Sequence, residues 1–173
     1  IFDGKIISTG SAATDPISSL SDTFTQLAGF LGDSARFDQV TTQRRITSFK
    51  VHIRSRLSGT NTMTDKQFIE ELVRSDLMTT MIEGYIAEKI IAKADEFGLG
   101  DQARRRVVSP ENMRELFERN ATGRDIMDTI KREVVRPLMA GVPMNVVMAK
   151  VKTDIIREVN RRIDEIKRAI SPF

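Results

Sequence analysis

Apolar residues recur at helical spacing between Leu77 and Phe97, and they cover more of the helix circumference than a surface helix needs. The apolar positions are 77, 78, 81, 82, 85, 86, 90 and 91. A helix that is apolar on most faces is normally buried by other helices. We therefore expect 77–97 to be the central helix of the fold. Gly84 lies within it at a cost of about 1 kcal/mol relative to Ala, which indicates that a neighbouring helix crosses closely there.

Other segments have the same period and begin or end at recognisable signals. Asp15-Pro16 begins a helix that Gly32 should end, and Thr64 to Gln67 form a capping box. Ser75-Asp76 offers a second cap, and Gly98 and Gly100 should end the central helix. The remaining predicted helices are a segment beginning at Ser109-Pro110, a segment capped by Thr122-Gly123 that runs to Pro137, and a terminal helix from Pro143 to Ile170.

Residues 46–57 fit two patterns. Ile46, Phe49, Ile53 and Leu57 follow a helical period, whereas Lys50 to Arg54 alternate as a strand does. The helical pattern extends back to residue 37, while the alternation covers about half a dozen residues, typical of a short strand. Length therefore favours a helix.

Together these segments predict an all-α fold, a multi-helix bundle with a long C-terminal amphipathic helix. We divide the chain into a flexible arm at 1–14, a helical bundle domain at 15–142 and a terminal helix at 143–173, which packs on the bundle or serves assembly. No apolar run approaches the 18 or so residues of a membrane span. The chain starts at Ile1 without a signal-like segment, so we expect a processing boundary there and assign a cytoplasmic location by default.

The composition removes most catalytic chemistry. The 173 residues include no Cys and one His, so neither a thiolate nucleophile nor a paired-His metal motif is available. We expect no catalytic site, no metal and no cofactor. His52 lies among basic residues without a local carboxylate, which is typical of a surface histidine. Glu83, set among apolar neighbours, is either a polar edge of a buried helix or a desolvated acid that works with a second carboxylate.

Basic residues form three clusters, at 44–56, 104–106 and 157–168. Residues 38–63 hold five Lys and Arg residues against one Asp, while residues 64–100 hold eight acidic and four basic residues. The clusters are either solvated helix faces, neutralised within the fold, or contacts for the phosphates of DNA or RNA. The candidate nucleic-acid residues are Arg44, Arg45, Lys50, Arg54, Arg104, Arg105, Arg106, Arg157 and Arg161.

Two predicted helices, 110–121 and 123–136, are joined by a short turn containing Gly123. This arrangement is that of a helix-turn-helix or of an ordinary αα-hairpin. Carboxylates on the second helix, at Asp125, Asp128 and Glu133, would repel phosphates. The ordinary hairpin is the better interpretation.

The terminal helix carries a seam at three-four spacing, formed by Ile156, Val159, Ile163, Ile166 and Ile170. Such a seam docks either on its own bundle or on another copy or a partner protein. The sequence thus predicts a non-enzymatic α-helical assembly or adaptor module that acts through protein–protein contacts and self-associates through this helix. The alternative is a DNA- or RNA-binding helical protein that uses its basic helix faces.

Overall fold

A computed structural model describes residues 23–58 and 63–171, and these residues form helices with no strand among them. The all-α prediction is confirmed. None of the helices in the described ranges combines the length and the apolar character needed to cross a membrane. The helices are α1 (Ala28–Phe37), α2 (Gln39–Leu57), α3 (Asp65–Arg74), α4 (Asp76–Asp95), α5 (Gly100–Arg106), α6 (Pro110–Arg114), a π-helical turn (Glu115–Arg119), α7 (Ala121–Met139), α8 (Met144–Arg161) and α9 (Ile163–Ile170).

Helix α4 is the centre of the fold. Twelve of its 20 residues are buried, more than in any other helix that the structure describes. Helices α1, α2, α5 and α8 pack against it, and α3, α6 and α9 also touch it. The prediction of a central 77–97 helix is confirmed, although the helix ends at Asp95. Gly98, at a φ of 74°, follows it as the sequence predicts.

Helix α1 crosses α4 at Gly84. A Cβ on Gly84 would lie 2.5 Å from the Cα of Ser34, closer than two non-bonded carbon atoms approach. The Ser34 hydroxyl lies 3.1 Å and 3.2 Å from the backbone carbonyls of Thr80 and Met81, so it donates to the α4 backbone. The predicted close crossing at Gly84 is confirmed, and the hydrogen bonds of Ser34 lie beside it.

The predicted end of the first helix at Gly32 is wrong, because α1 continues to Phe37. Gly32 has open space where a side chain would stand, so the glycine is tolerated inside the helix. Asp38 separates α1 from α2, and its carboxylate accepts from the backbone N–H of Thr41. The predicted arm at 1–14 and the helix start at 15–16 lie outside the described residues.

Residues 46–57 are helical, as the longer of the two patterns indicates. They form the C-terminal part of α2, in which Phe49, Ile53 and Leu57 are buried. Phe49 contacts the ring of Phe68 edge-on, with ring centroids 6.0 Å apart. The alternation at 50–54 does not produce a strand because these apolar residues share one helix face toward α3 and α4.

Helix α7 differs from the prediction at both ends. The N-cap is Asn120, whose side-chain oxygen accepts from the backbone N–H of Gly123, so the predicted Thr122-Gly123 cap is wrong. The helix passes through Pro137 and ends at Met139. A proline in the last turn removes one hydrogen bond, and Ala140 N–H still bonds to the Arg136 carbonyl.

The terminal segment is two helices, whereas the sequence predicts one continuous helix. Arg162, at φ −100° and ψ 13°, separates α8 from α9. Its N–H bonds to the carbonyls of both Glu158 and Val159, which tightens the end of α8. Helix α9 then packs against α5 and α4, and Ile170 becomes 1% exposed.

Replacing Gly84 with Ala should destabilise the protein although Ala favours a helix. The new methyl group meets the Ser34 backbone, and such overpacking costs about 2 kcal/mol. Gly32→Ala is the matched control within α1, and it should stabilise by about 1 kcal/mol because the site is open. Urea unfolding of both variants tests the crossing. Equal effects of the two substitutions would contradict it.

The side of α8 that faces the core can be tested with two adjacent residues. Ile155 is 7% exposed and Ile156 is 40% exposed. Ile155→Ala should lower the free energy of unfolding by about 3 kcal/mol, since it leaves a cavity. Ile156→Ala should change it by less than about 0.5 kcal/mol. Chemical denaturation gives both values, and the reverse order would show that α8 is rotated.

Candidate functional site

An open groove of about 530 Å³ runs between α2 and the corner where α3 meets α4. Arg44, Ser48 and His52 form one wall, since residues spaced by four lie on the same face of a helix. Arg74 and Ser75 belong to the opposite wall. The groove therefore brings cationic and hydroxyl side chains together from two segments that are distant in sequence.

A single residue, Ser75, forms the corner between α3 and α4. Its backbone is extended at φ −70° and ψ 152°, and its hydroxyl oxygen accepts from the backbone N–H of Met78. The hydroxyl also donates to the Leu72 carbonyl, 2.5 Å away. One side chain thus bonds to a free carbonyl at the end of α3 and to a free N–H at the start of α4. The predicted Ser75 cap is confirmed.

Arg45 lies deeper in the groove than Arg44 and is held by several bonds. Its Nη2 donates to Glu118 Oε1 at 2.7 Å, and its Nη1 lies 3.3 Å from Glu118 Oε2. Nη1 also donates to Thr80 Oγ1 at 2.6 Å. Burial lowers the pKa of the guanidinium, but the hydrogen bond and charge of Glu118 outweigh it and raise that pKa. Arg45 is therefore a fixed cation.

Glu83 lies behind Arg45 on α4 and is 5% exposed. Burial is the main reason that its pKa is raised to about 9, and its hydrogen bond to the Glu118 carboxyl is the second. The positive charges of Arg45 and Arg114 act in the opposite direction but do not overcome these effects. At neutral pH Glu83 is therefore an uncharged acid that donates to the Glu118 carboxylate.

Glu118 belongs to the π-helical turn, a rare form that widens the helix locally and recurs at functional sites. Burial raises the pKa of Glu118, but hydrogen bonds to Arg45 and Glu83 lower it below the usual value. Glu118 thus keeps the negative charge while Glu83 keeps the proton. The two adjacent carboxyl groups therefore have pKa values shifted in opposite directions, because Glu83 is the more deeply buried and Glu118 is the one bonded to Arg45.

Two further contacts extend this buried network. Arg114 Nη1 donates to Asp38 Oδ2 at 2.6 Å, which lowers the pKa of Asp38 against the effect of burial. The ammonium of Lys131 lies 3.4 Å from the Ser75 carbonyl, and burial lowers its pKa. Helices α2, α4, α6 and α7 are thereby connected behind the groove.

His52 has a carboxylate partner that the sequence analysis does not anticipate. Its Nε2 contacts Glu71 Oε2 from α3, and Arg56 lies 3.7 Å from the other oxygen of Glu71. The predicted surface position of His52 is confirmed, since half of its side chain is exposed, and its carboxylate comes from a different helix, 19 residues away in the sequence. The pair connects the two walls of the groove.

The predicted nucleic-acid residues are not gathered on one surface. Arg45 bonds to Thr80 in the second turn of α4, while Arg104 lies 3.9 Å from Asp95, the last residue of that helix, about 22 Å further along its axis. Arg157 and Arg161 pair with Asp154 and Glu158 on their own helix. The Lys50 ammonium lies 5.2 Å from the centre of the Phe24 ring, in a cation–π contact, and Arg106 bonds to the Ile170 carbonyl. Among the described residues, Arg44, Arg54 and Arg105 are exposed and have no carboxylate within 4.0 Å.

The five seam residues of the terminal segment lie in different surroundings. Val159 and Ile170 are buried in the core, and Ile163 and Ile166 are half-buried. Ile156 is 40% exposed. The residues of α8 that face the core are Val147, Val151, Ile155 and Val159, a stripe at steps of four. Self-association through this segment stays a prediction, and Ile156 is the seam residue that remains open to a partner.

Comparisons of the chain with protein-family models, with curated proteins and with solved structures find no match. The arguments for a function therefore rest on the geometry of the groove and of the network behind it.

The protonation of Glu83 gives a pH-dependent stability. The unfolded chain releases the Glu83 proton above about pH 4.5, whereas the folded chain keeps it up to about pH 9. Between these values folding takes up a proton, so this group makes stability fall by about 1.4 kcal/mol per pH unit as pH rises. Glu83→Gln, a neutral replacement, should remove that slope and should be the more stable protein at pH 8.

Urea unfolding at several values between pH 5 and pH 9 measures this difference. Glu111→Gln is the control, since Glu111 is exposed on α6. It should keep the slope of the wild-type protein. Parallel pH profiles for wild type and Glu83→Gln would show that Glu83 is ionised in the folded protein.

Proposed function

We propose that this protein is a non-enzymatic α-helical adaptor whose groove binds an acidic segment of a partner protein. The observation that carries the proposal is the groove itself, which places Arg44, Arg45 and Arg74 around one open space. Arg44 has no carboxylate within 4.0 Å among the described residues, so its charge is available to a ligand. Arg45 and Arg74 pair with Glu118 and Glu70, so Arg44 is the main source of unpaired positive charge at the groove.

The outer face of α2 adds an apolar component next to Arg44. Val40 and Val51 are 74% and 56% exposed, the largest values among exposed large hydrophobic residues of the described chain. At 100° per residue, Val40, Arg44 and Val51 fall within an arc of about 40°. An acidic partner segment that carries apolar residues would bury these valines while its carboxylates meet the arginines, which combines apolar burial with electrostatic steering.

Nucleic-acid binding is the alternative, and the positions of the basic residues favour it less. A protein that contacts phosphates gains affinity from positive charge grouped on one surface. Here the clusters around Arg45 and Arg104 are about 22 Å apart along α4, and several of their members pair with carboxylates. The alternative serves as an outcome of the binding test.

Fluorescence anisotropy with a labelled peptide rich in Glu and Leu tests the proposal. We expect a dissociation constant on the order of 10 μM, a range typical of transient contacts. The double variant Arg44→Ala, Arg74→Ala should weaken binding by about tenfold. Arg105→Ala removes the same kind of charge from α5, outside the groove, and should leave the affinity within about twofold.

Labelled duplex and single-stranded oligonucleotides of random sequence form the second arm of this experiment. Binding of an oligonucleotide that weakens in Arg105→Ala, together with no binding of the acidic peptide, would replace the adaptor proposal with the nucleic-acid alternative. Equal loss of peptide binding in the double variant and in Arg105→Ala would show a diffuse electrostatic effect and would also contradict the proposal.

A further inference from the structure

The hydrogen bonds of Arg45 use only part of its guanidinium. A guanidinium has five N–H donors, of which Nη1 and Nη2 carry two each and Nε carries one. Nη1 bonds to Thr80 and Glu118 and lies 3.4 Å from the Asp76 carbonyl, while Nη2 reaches Glu118 Oε1. Within the described residues, Nε–H and the second N–H of Nη2 have no acceptor.

These two remaining donors belong to the same edge of the guanidinium. On that edge the Nε–H and Nη2–H bonds are parallel, and their spacing matches two oxygens of a carboxylate or a phosphate. Arg45 lines the groove, and 15% of its side chain is exposed. The residue is therefore open to the groove while its other edge is bound to Glu118.

We propose that the Nε–Nη2 edge of Arg45 is an oxyanion receptor in the groove, which binds a carboxylate or phosphate group through two parallel hydrogen bonds. The proposal deepens the adaptor function and rests on it, since it names the contact that would anchor the acidic segment. Arg44 would add positive charge at the rim without a fixed geometry.

The receptor is ordered before the ligand arrives. Glu118 and Thr80 hold the guanidinium in one orientation, so binding does not have to restrict a long flexible side chain. Arg74, whose side chain is 75% exposed, lacks this advantage. Glu118 also offsets the charge of Arg45, so recognition depends on the two-point geometry more than on net charge. Oxyanions that present two oxygens to the two donors are therefore favoured over a single point charge such as chloride.

Nuclear magnetic resonance of the ¹⁵N-labelled full chain tests the receptor directly. The Nε–H signals of arginine are followed during separate titrations with inorganic phosphate, acetate and chloride. We expect the Arg45 signal to shift and saturate with phosphate or acetate at millimolar concentration, a range suited to a two-bond contact. The Arg105 signal should shift weakly and without saturation. Saturation by both anions assigns the receptor to carboxylates and phosphates, and saturation by phosphate alone assigns it to a phosphorylated partner.

No saturable Arg45 shift with either oxyanion, or an equal shift with chloride, overturns the proposal. Arg45→Lys keeps the charge but has no parallel donor pair, so it should weaken the binding of the acidic peptide by about tenfold. The wild-type titration decides the outcome even if Arg45→Lys folds poorly. Peptide binding that is unchanged in folded Arg45→Lys overturns the receptor proposal and leaves the adaptor proposal standing. Saturation by phosphate without any peptide binding supports the receptor and overturns the adaptor.

Discussion

Burial of α4 on nearly all sides is the constraint on which the other features of this structure depend. A helix in this position has to satisfy each polar side chain inside the protein, because water does not reach it. Thr80 does so by donating to the Asp76 carbonyl and accepting from Arg45. Glu83 does so for one of its two oxygens, by keeping its proton and bonding to Glu118. The polar residues of the central helix thus determine which side chains must come from α2 and from the π-helical turn.

This buried network of charged and polar side chains lowers the stability of the folded protein. Glu83 Oε1 is buried and has no hydrogen-bond partner within the described residues, and an acid that stays neutral at pH 7 costs folding free energy. Apolar residues of similar size often replace buried ionic groups without loss of stability. We interpret Glu83, Glu118 and Arg45 as a support for the groove, since their arrangement fixes a guanidinium that a purely apolar core would leave free.

Local signals in the sequence predict much of the fold and little of the site. The capping box at Thr64 and Gln67 forms with both hydrogen bonds, because its partners are three residues apart. The continuous helix predicted through Arg162 fails because α9 turns to pack on α5, a tertiary effect that periodicity does not contain. The Arg45–Glu118 pair is separated by 73 residues, and neither residue carries a signal that names the other.

The adjacent residues Arg44 and Arg45 show why a local cluster of charge does not define a site. They are identical in type and differ by 100° around α2, so Arg44 faces solvent while Arg45 faces the interior. The same helix consequently offers one exposed charge, suited to attracting a ligand over a distance, and one immobilised guanidinium, suited to recognising the shape of an anion. Their different roles arise from the burial of α4 and its demand for a partner, which only one of the two arginines is placed to meet.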